Sequence, residues 1–213
     1  MKEPKKLDGR KQRSRLTRAR IVDAATSRFL DNGYVATTIE DVAEHAGVAV
    51  QTIYYVFGTK PNLLAAVLDA SIAGDVEPVP VLQRSWVESL REQPDATSAF
   101  TGLVDAAVTI VARTTPTYEV VRRAASDRDV SALLDDTRRR RRDDQRRLVE
   151  MLAESGHLDP NLDVDTAADT FYGIVNEEVF QLLTRDCGWD VARFRNWATA
   201  LMLQQLLGEP EPR

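Results

Sequence analysis

Residues 37 to 60, TTIEDVAEHAGVAVQTIYYVFGTK, decide how this chain folds. They read as two short helices joined by a tight turn, followed at once by the start of a third. In the first, Ile39, Val42, Ala43 and Ala46 recur at i, i+3, i+4 and i+7, which turns one apolar face inward. Thr38 stands just before it with Asp41 three residues on, a variant of the capping box that closes a helix N-terminus. Gly47 follows the last periodic residue, where a left-handed backbone suits glycine. Val48, Ile53 and Phe57 then anchor a second helix and leave Val50, Gln51, Thr52, Tyr54 and Tyr55 largely outside. A helix, a glycine turn and a second helix with polar and aromatic outward groups is the plan of a helix-turn-helix DNA reader. An ordinary helical hairpin shares the turn, so the neighbouring residues must separate the two.

Those neighbours carry a family pattern. Gly33-Tyr34, Thr37-Thr38-Ile39, Val42-Ala43, Ala46-Gly47-Val48, Thr52-Ile53-Tyr54, Phe57, Lys60 and Leu63-Leu64 together resemble the DNA-binding domain of the TetR family of bacterial transcriptional regulators. The resemblance covers about residues 15 to 68; beyond them only the helical layout matches. It implies an all-α protein in which an N-terminal helix-turn-helix domain precedes a larger helical domain for effector binding and dimerisation. Two positions depart from the pattern. Ala49 stands where Ser or Thr commonly caps the recognition helix, and Val56 replaces a His or Tyr that usually helps hold a phosphate. Both departures imply a reduced set of phosphate contacts.

With 213 residues, the chain is long enough for one or two domains. Its 43% hydrophobic and 29% charged residues are ordinary for a globular protein. No apolar run approaches the roughly 20 residues of a membrane span, and the N-terminal charges have no apolar segment behind them, so no secretory signal is expected. The lone cysteine, Cys187, excludes an intramolecular disulfide and fits a reducing cytoplasm. Charge is uneven: residues 1–60 carry 11 Lys and Arg against 7 Asp and Glu, leaving 17 against 26 for the remainder. A basic head on an acidic body suits a protein that presents one end to a polyanion.

In chain order, residues 1–14 are polar and basic and are expected to form a disordered arm along DNA phosphates. Residues 15–60 form the helix-turn-helix domain, its first helix running from about Leu16 to Asn32 with Ile21, Ala24, Ala25 and Phe29 buried. Residues 61–213 form the second domain. There Pro116 is expected to open a new helix. The run DDTRRRRRDDQRR is expected to be a solvated helix face compensated by i, i+4 pairs such as Asp136–Arg140 and Arg139–Asp143. The last two helices are apolar over most of their surface. Phe171, Val175, Val179, Phe194, Trp197 and Leu201 are candidates for a four-helix homodimer interface, with burial inside one chain as the alternative.

Catalytic patterns are lacking: the chain holds no nucleophile elbow, P-loop, GxGxxG or HExxH, and His45 and His157 lack metal-ligand spacing with Cys187. Neither enzyme activity, a cofactor nor a metal is expected. For DNA, Gln51 and Tyr55 are the candidates for base reading, with Val50 against a thymine methyl; Thr37, Thr52, Tyr54 and Lys60 are the candidates for phosphates, and Thr38 is a further DNA-binding candidate. Trp86, Phe100, Tyr118 and Tyr172 could line the apolar effector cavity that the resemblance implies, for a small apolar or amphipathic molecule. Core packing explains each of the four equally well. The expected function is a homodimeric regulator, most often a repressor, that leaves palindromic operator DNA when its effector binds. An activator or a regulator without an effector stays open, as do an enzyme or ligand carrier on a helical bundle and an architectural DNA-coating protein.

Overall fold

The computed structural model describes residues 5–75 and 79–207. Among these residues the chain is helical and contains no strand. Ten α-helices follow in order: α1 Lys5–Ala36, α2 Ile39–Ala46, α3 Val50–Phe57, α4 Lys60–Ala73, α5 Ser85–Arg91, α6 Ala96–Arg123, α7 Arg128–Glu154, α8 Val164–Ile174, α9 Glu177–Gln181 and α10 Val191–Leu207. A 3-10 turn, Val81–Gln83, precedes α5, and a π-helical turn, Leu182–Asp186, follows α9. The chain divides into two compact units. The first joins Met1–Ser71 to Pro116–Leu134; the second joins Ile72–Thr115 to Asp135–Arg213. Residues 61–71 and 116–134 therefore belong with the N-terminal unit, although the sequence reading assigns them to the second domain.

In the first unit the apolar periodicity becomes a core. Ile21, Val22, Ala24, Ala25 and Phe29 of α1 are buried, as are Ile39, Val42, Ala43 and Ala46 of α2 and Ile53 and Phe57 of α3. Helix α1 packs on α2, and α2 on α3. Leu63, Leu64, Ala66, Val67 and Leu68 of α4 are buried as well. Gly33, at φ 76°, interrupts α1 at the expected place, and the Tyr34 ring packs 5.9 Å from that of Phe29. The N-terminal stretch differs from expectation. Helix α1 begins at Lys5, so residues 5–14 are helical where a disordered arm is expected; residues 1–4 lie outside the described residues. Arg10 to Arg15 are mostly straight-chain helix formers, and the single Gly9 among them costs only about 1 kcal/mol relative to alanine. The exposed side chains of Arg13, Arg15, Arg18 and Arg20 keep this helix basic.

Helix α6 corrects a second expectation. It runs unbroken through Pro116, which does not open a new helix. Proline leaves one carbonyl a turn earlier without its usual donor. Just before it, Thr114 and Thr115 donate their hydroxyls to the carbonyls of Ile110 (2.6 Å) and Val111 (2.7 Å). Val111, Tyr118 and Val121 are buried on either side of the proline, and burial outweighs the local propensity to break.

The second unit has its own core, including Phe100, Leu103, Val104, Val149, Leu152, Phe171, Val175, Phe194, Ala198 and Met202. Helices α8 and α10 pack together. Phe180 meets Phe194 edge-on at 5.0 Å, and Trp197 lies 5.6 Å from Phe194. Phe171, Val175 and Phe194 have no exposed surface in the single chain. They are core residues and offer no surface for a partner, which corrects half of the interface assignment. Val179, Trp197 and Leu201 are only partly covered.

The arginine run on α7 is also more than a solvated face. Arg140 does pair with Asp136 at 2.9 Å, as the i, i+4 rule predicts. Other members, however, reach the following helices: Arg138 to Glu178 (3.0 Å), Arg141 to Glu177 and Arg142 to Asp169 (2.8 Å), while Arg146 reaches Asp165 (2.6 Å). The acidic partners sit on α8 and α9, far along the sequence, where a local charge rule cannot find them. Helix α8 itself stops at Ile174 instead of running on, because Asn176 takes an extended backbone and caps α9 through Val179 N–H at 2.8 Å.

In the same unit, Arg113 of α6 donates to the Ile72 carbonyl at 2.7 Å, and its guanidinium lies over Gly74. Arg84 holds Asp75 through two hydrogen bonds of 2.6 and 3.0 Å.

Candidate nucleic-acid interface

The reading head is built from α2 and α3. Thr38 closes α2: its hydroxyl accepts from Asp41 N–H at 3.0 Å, and the Asp41 carboxylate accepts from Thr38 N–H at 2.9 Å. Hydrogen bonding of the Asp41 carboxyl to the Thr38 side chain and to the Thr38 backbone N–H holds it below its usual pKa. At the other end Gly47 adopts φ 62°, ψ 42° and donates back to α2 carbonyls, as the sequence predicts. Helix α3 then starts at Val50 with no side-chain cap from Ala49. Its far end is tied by Asn62, whose amide donates to the Phe57 carbonyl at 3.1 Å.

With Ile53 and Phe57 as its buried side, α3 turns its other residues outward. Gln51 is exposed, Tyr54 is 49% exposed and Tyr55 89% exposed, while Val50 and Thr52 are half-buried. A short helix with polar and aromatic side chains on its free face can enter a major groove and meet base edges.

Thr37 departs from its assignment. It is fully buried, and its hydroxyl lies 2.9 Å from the Arg28 carbonyl and 2.8 Å from that of Gly33. Its side chain joins α1 to the start of α2 and offers nothing to a phosphate. Lys60, in the first turn of α4, is half-buried. Its ammonium lies 4.3 Å from the centre of the Tyr34 ring and 3.5 Å from the Val35 carbonyl. Burial lowers the Lys60 pKa, opposed by the Asp127 carboxylate. Tyr34 is pushed up to about 12, by burial and then by Asp127 and Asp129.

Sequence reasoning missed three members of this region. Arg18 of α1 lies 4.7 Å from the centre of the Phe57 ring, Arg28 is 3.1 Å from His45, and Val35 is 83% exposed beside Lys60. Only the basic composition of α1 hinted at the arginines. Val35 carried no signal, because a lone exposed valine is unremarkable in a sequence.

The proposed effector residues separate by unit. Tyr118 belongs to the first, whereas Trp86, Phe100 and Tyr172 belong to the second. Phe100 is fully buried; Trp86 and Tyr172 are half-buried. Among the described residues no group of His, Cys, Asp and Glu could hold a metal, and no helix is long and apolar enough to cross a membrane.

Fold and head together define a helix-turn-helix DNA-binding domain joined to a second helical unit. Residues 21–67 match the sequence profile of the bacterial regulatory proteins of the tetR family. The transcriptional regulator TtgR of Pseudomonas putida is 42% identical over 60 residues, which are 28% of this chain and 29% of TtgR. The match thus spans less than a third of that relative's length. The fatty acid metabolism regulator protein of Bacillus subtilis (strain 168) is 20% identical over 86% of this chain and 92% of its own. Among solved structures, the regulator FadR of Bacillus subtilis in complex with stearoyl-CoA superposes with a TM-score of 0.66 at 21% identity. That superposition covers 86% of this chain and 96% of FadR, and at this identity the likeness is one of fold. The curated relatives are named as regulators, not as enzymes.

Proposed function

We propose that this protein is a cytoplasmic transcriptional regulator that binds palindromic operator DNA as a homodimer, represses, and is released by a small apolar or amphipathic effector. The observation that carries the reading is the free face of α3: Gln51, Tyr54 and Tyr55 stand outward over buried Ile53 and Phe57. Gln51 can bond bidentately to adenine N6 and N7, and Val50 can meet a thymine methyl. Thr52, the Tyr54 hydroxyl and Lys60 hold phosphates, which fix register and carry no sequence information. The basic side chains of α1 add sequence-independent attraction. Two half-sites need two heads, hence the dimer, through the partly covered residues Val179, Trp197 and Leu201. The effector part is supported by the FadR complex with stearoyl-CoA and by the separate core of the second unit.

Selection of bound sequences from random duplex DNA at near-physiological salt tests this function. A two-fold symmetric consensus is the expected result. Binding without preference would point to a DNA-coating protein, and no salt-dependent binding to a ligand carrier; either result ends the proposal.

A further inference from the structure

The interruption between α8 and α9 is lined by polar groups inside an otherwise apolar core, and the side-chain oxygen of Gln145 is unsatisfied among the described residues. Gln145 of α7 is only 7% exposed. Its amide nitrogen donates to the Val175 carbonyl at 3.2 Å, an oxygen that can only accept, and this fixes which way the amide points. Gln145 Oε1 is then left sealed from solvent, with no hydrogen-bond partner among the described residues. Asn176 gives its amide hydrogens to the carbonyls of Tyr172 and Gly173, both at 3.0 Å, and its oxygen accepts from Val179 N–H. Arg141, one turn before Gln145, is paired with Glu177, lies 3.7 Å from Glu178 and donates to the Tyr172 hydroxyl at 3.3 Å. A buried carbonyl oxygen without a donor is destabilising because its lost hydration is not replaced, and native proteins leave few such groups.

We propose that this interruption is the polar end of a ligand site. It takes a small neutral molecule with an apolar body and one O–H or N–H group, which donates to Gln145 Oε1. The site's charge balance decides the head group. Arg141 and Glu177 neutralise each other, so no uncompensated charge attracts an ion, and a carboxylate would set its own oxygens against Oε1. The row that continues along α7 decides the body: Leu148, Val149 and Leu152 follow Gln145 at i+3, i+4 and i+7, all buried in the apolar core that also holds Phe171.

The inference rests on the reading of the second unit as an effector domain, so its test is run on the full chain without DNA. Calorimetric titration compares 1-nonanol with methyl octyl ether, an isomer that lacks the donor, and with nonanoate. A second pair, 4-butylphenol and 4-butylanisole, repeats the comparison with a different shape. The expected result is binding of the hydroxyl member at least tenfold tighter than its ether in one pair, with nonanoate weaker than nonanol. In Gln145→Met, which keeps the bulk and loses Oε1, that gap should shrink to less than twofold while the ether affinity holds. Equal affinities within both pairs, tighter binding of nonanoate, no binding of any probe, or an unchanged gap in Gln145→Met would each overturn the proposal. If Gln145→Met does not fold, the wild-type comparison decides alone. Should the DNA selection fail while the hydroxyl preference stands, the regulator reading falls and the site remains. The converse pair of results removes only the site.

Discussion

Thr37 and Thr38 are neighbours in sequence, yet one is enclosed by protein and the other caps a helix in the open. Alternation of this kind separates side chains left open on the surface from side chains enclosed between the helices. In the proposed contact with DNA, Gln51 and Lys60 make the sharpest contrast. Gln51→Ala should flatten base preference at one symmetric pair of operator positions, by about 1–3 kcal/mol of discrimination, and leave non-specific binding nearly unchanged. Lys60→Ala should weaken binding to all sequences by a similar factor. Profiles on a library of single-base operator variants measure both, and the reverse pattern would mean that α3 docks in another orientation. Glu119 offers a test of stability in the first unit. Hydrogen bonds from Arg122 (2.7 and 2.8 Å) and Arg123 (2.7 Å) hold its carboxyl at about 2, from an ordinary 4.5. A depressed folded pKa stabilises above the unfolded value, and the gain is lost as pH falls through the folded one. The difference in urea midpoint between wild type and Glu119→Gln should therefore be full at pH 6 and shrink between about 4.5 and 2. A constant difference across that range would remove the ion-pair explanation.

At the scale of elements, short-range signals were the legible ones. The capping box of Thr38 and Asp41, the left-handed Gly47 and the uncapped start of α3 at Ala49 all follow from residues within a turn of one another. Signals that depend on distant packing were not. Pro116 looks like a helix start until the burial on both sides of it is known. The arginines of α7 look self-compensated until α8 and α9 supply Asp165, Asp169, Glu177 and Glu178. The stop of α8 depends on how Asn176 folds back on Tyr172 and Gly173, and no periodicity announces that. For the candidate site, the outward face of α3 could be read directly from spacing, whereas the closure of Thr37 by the carbonyls of Arg28 and Gly33 could not. The uncapped α3 gives an element-level prediction. Ala49→Ser adds the missing acceptor at a backbone already extended (φ −71°, ψ 146°) and should raise stability by about 0.5–2 kcal/mol in chemical denaturation. An unchanged or lower midpoint would show that the new hydroxyl does not reach the free N–H groups of the first turn.

For the whole molecule, the separation of core from surface on α10 makes the proposed dimer testable. Leu201 is half-covered, whereas Phe194 is fully buried. Leu201→Glu should give folded monomers with weakened operator binding, seen by sedimentation and by unchanged helical circular dichroism. Phe194→Glu places a charge in the core and should lose the helical signal itself. Dimers that persist in Leu201→Glu would move the contact to another face. The two compact units also set limits on substitution. A Cβ at Gly74, where φ is +86°, would lie 2.7 Å from Arg113 Nη1 and displace the guanidinium that holds the Ile72 carbonyl. Codons 74 and 113 are therefore epistatic. With arginine at 113, alanine at 74 costs both backbone strain and a displaced hydrogen bond; once Arg113 has been lost, the strain alone remains. A lineage could drift away from this glycine more readily after the arginine had gone, and the order of the two steps would be written into its descendants.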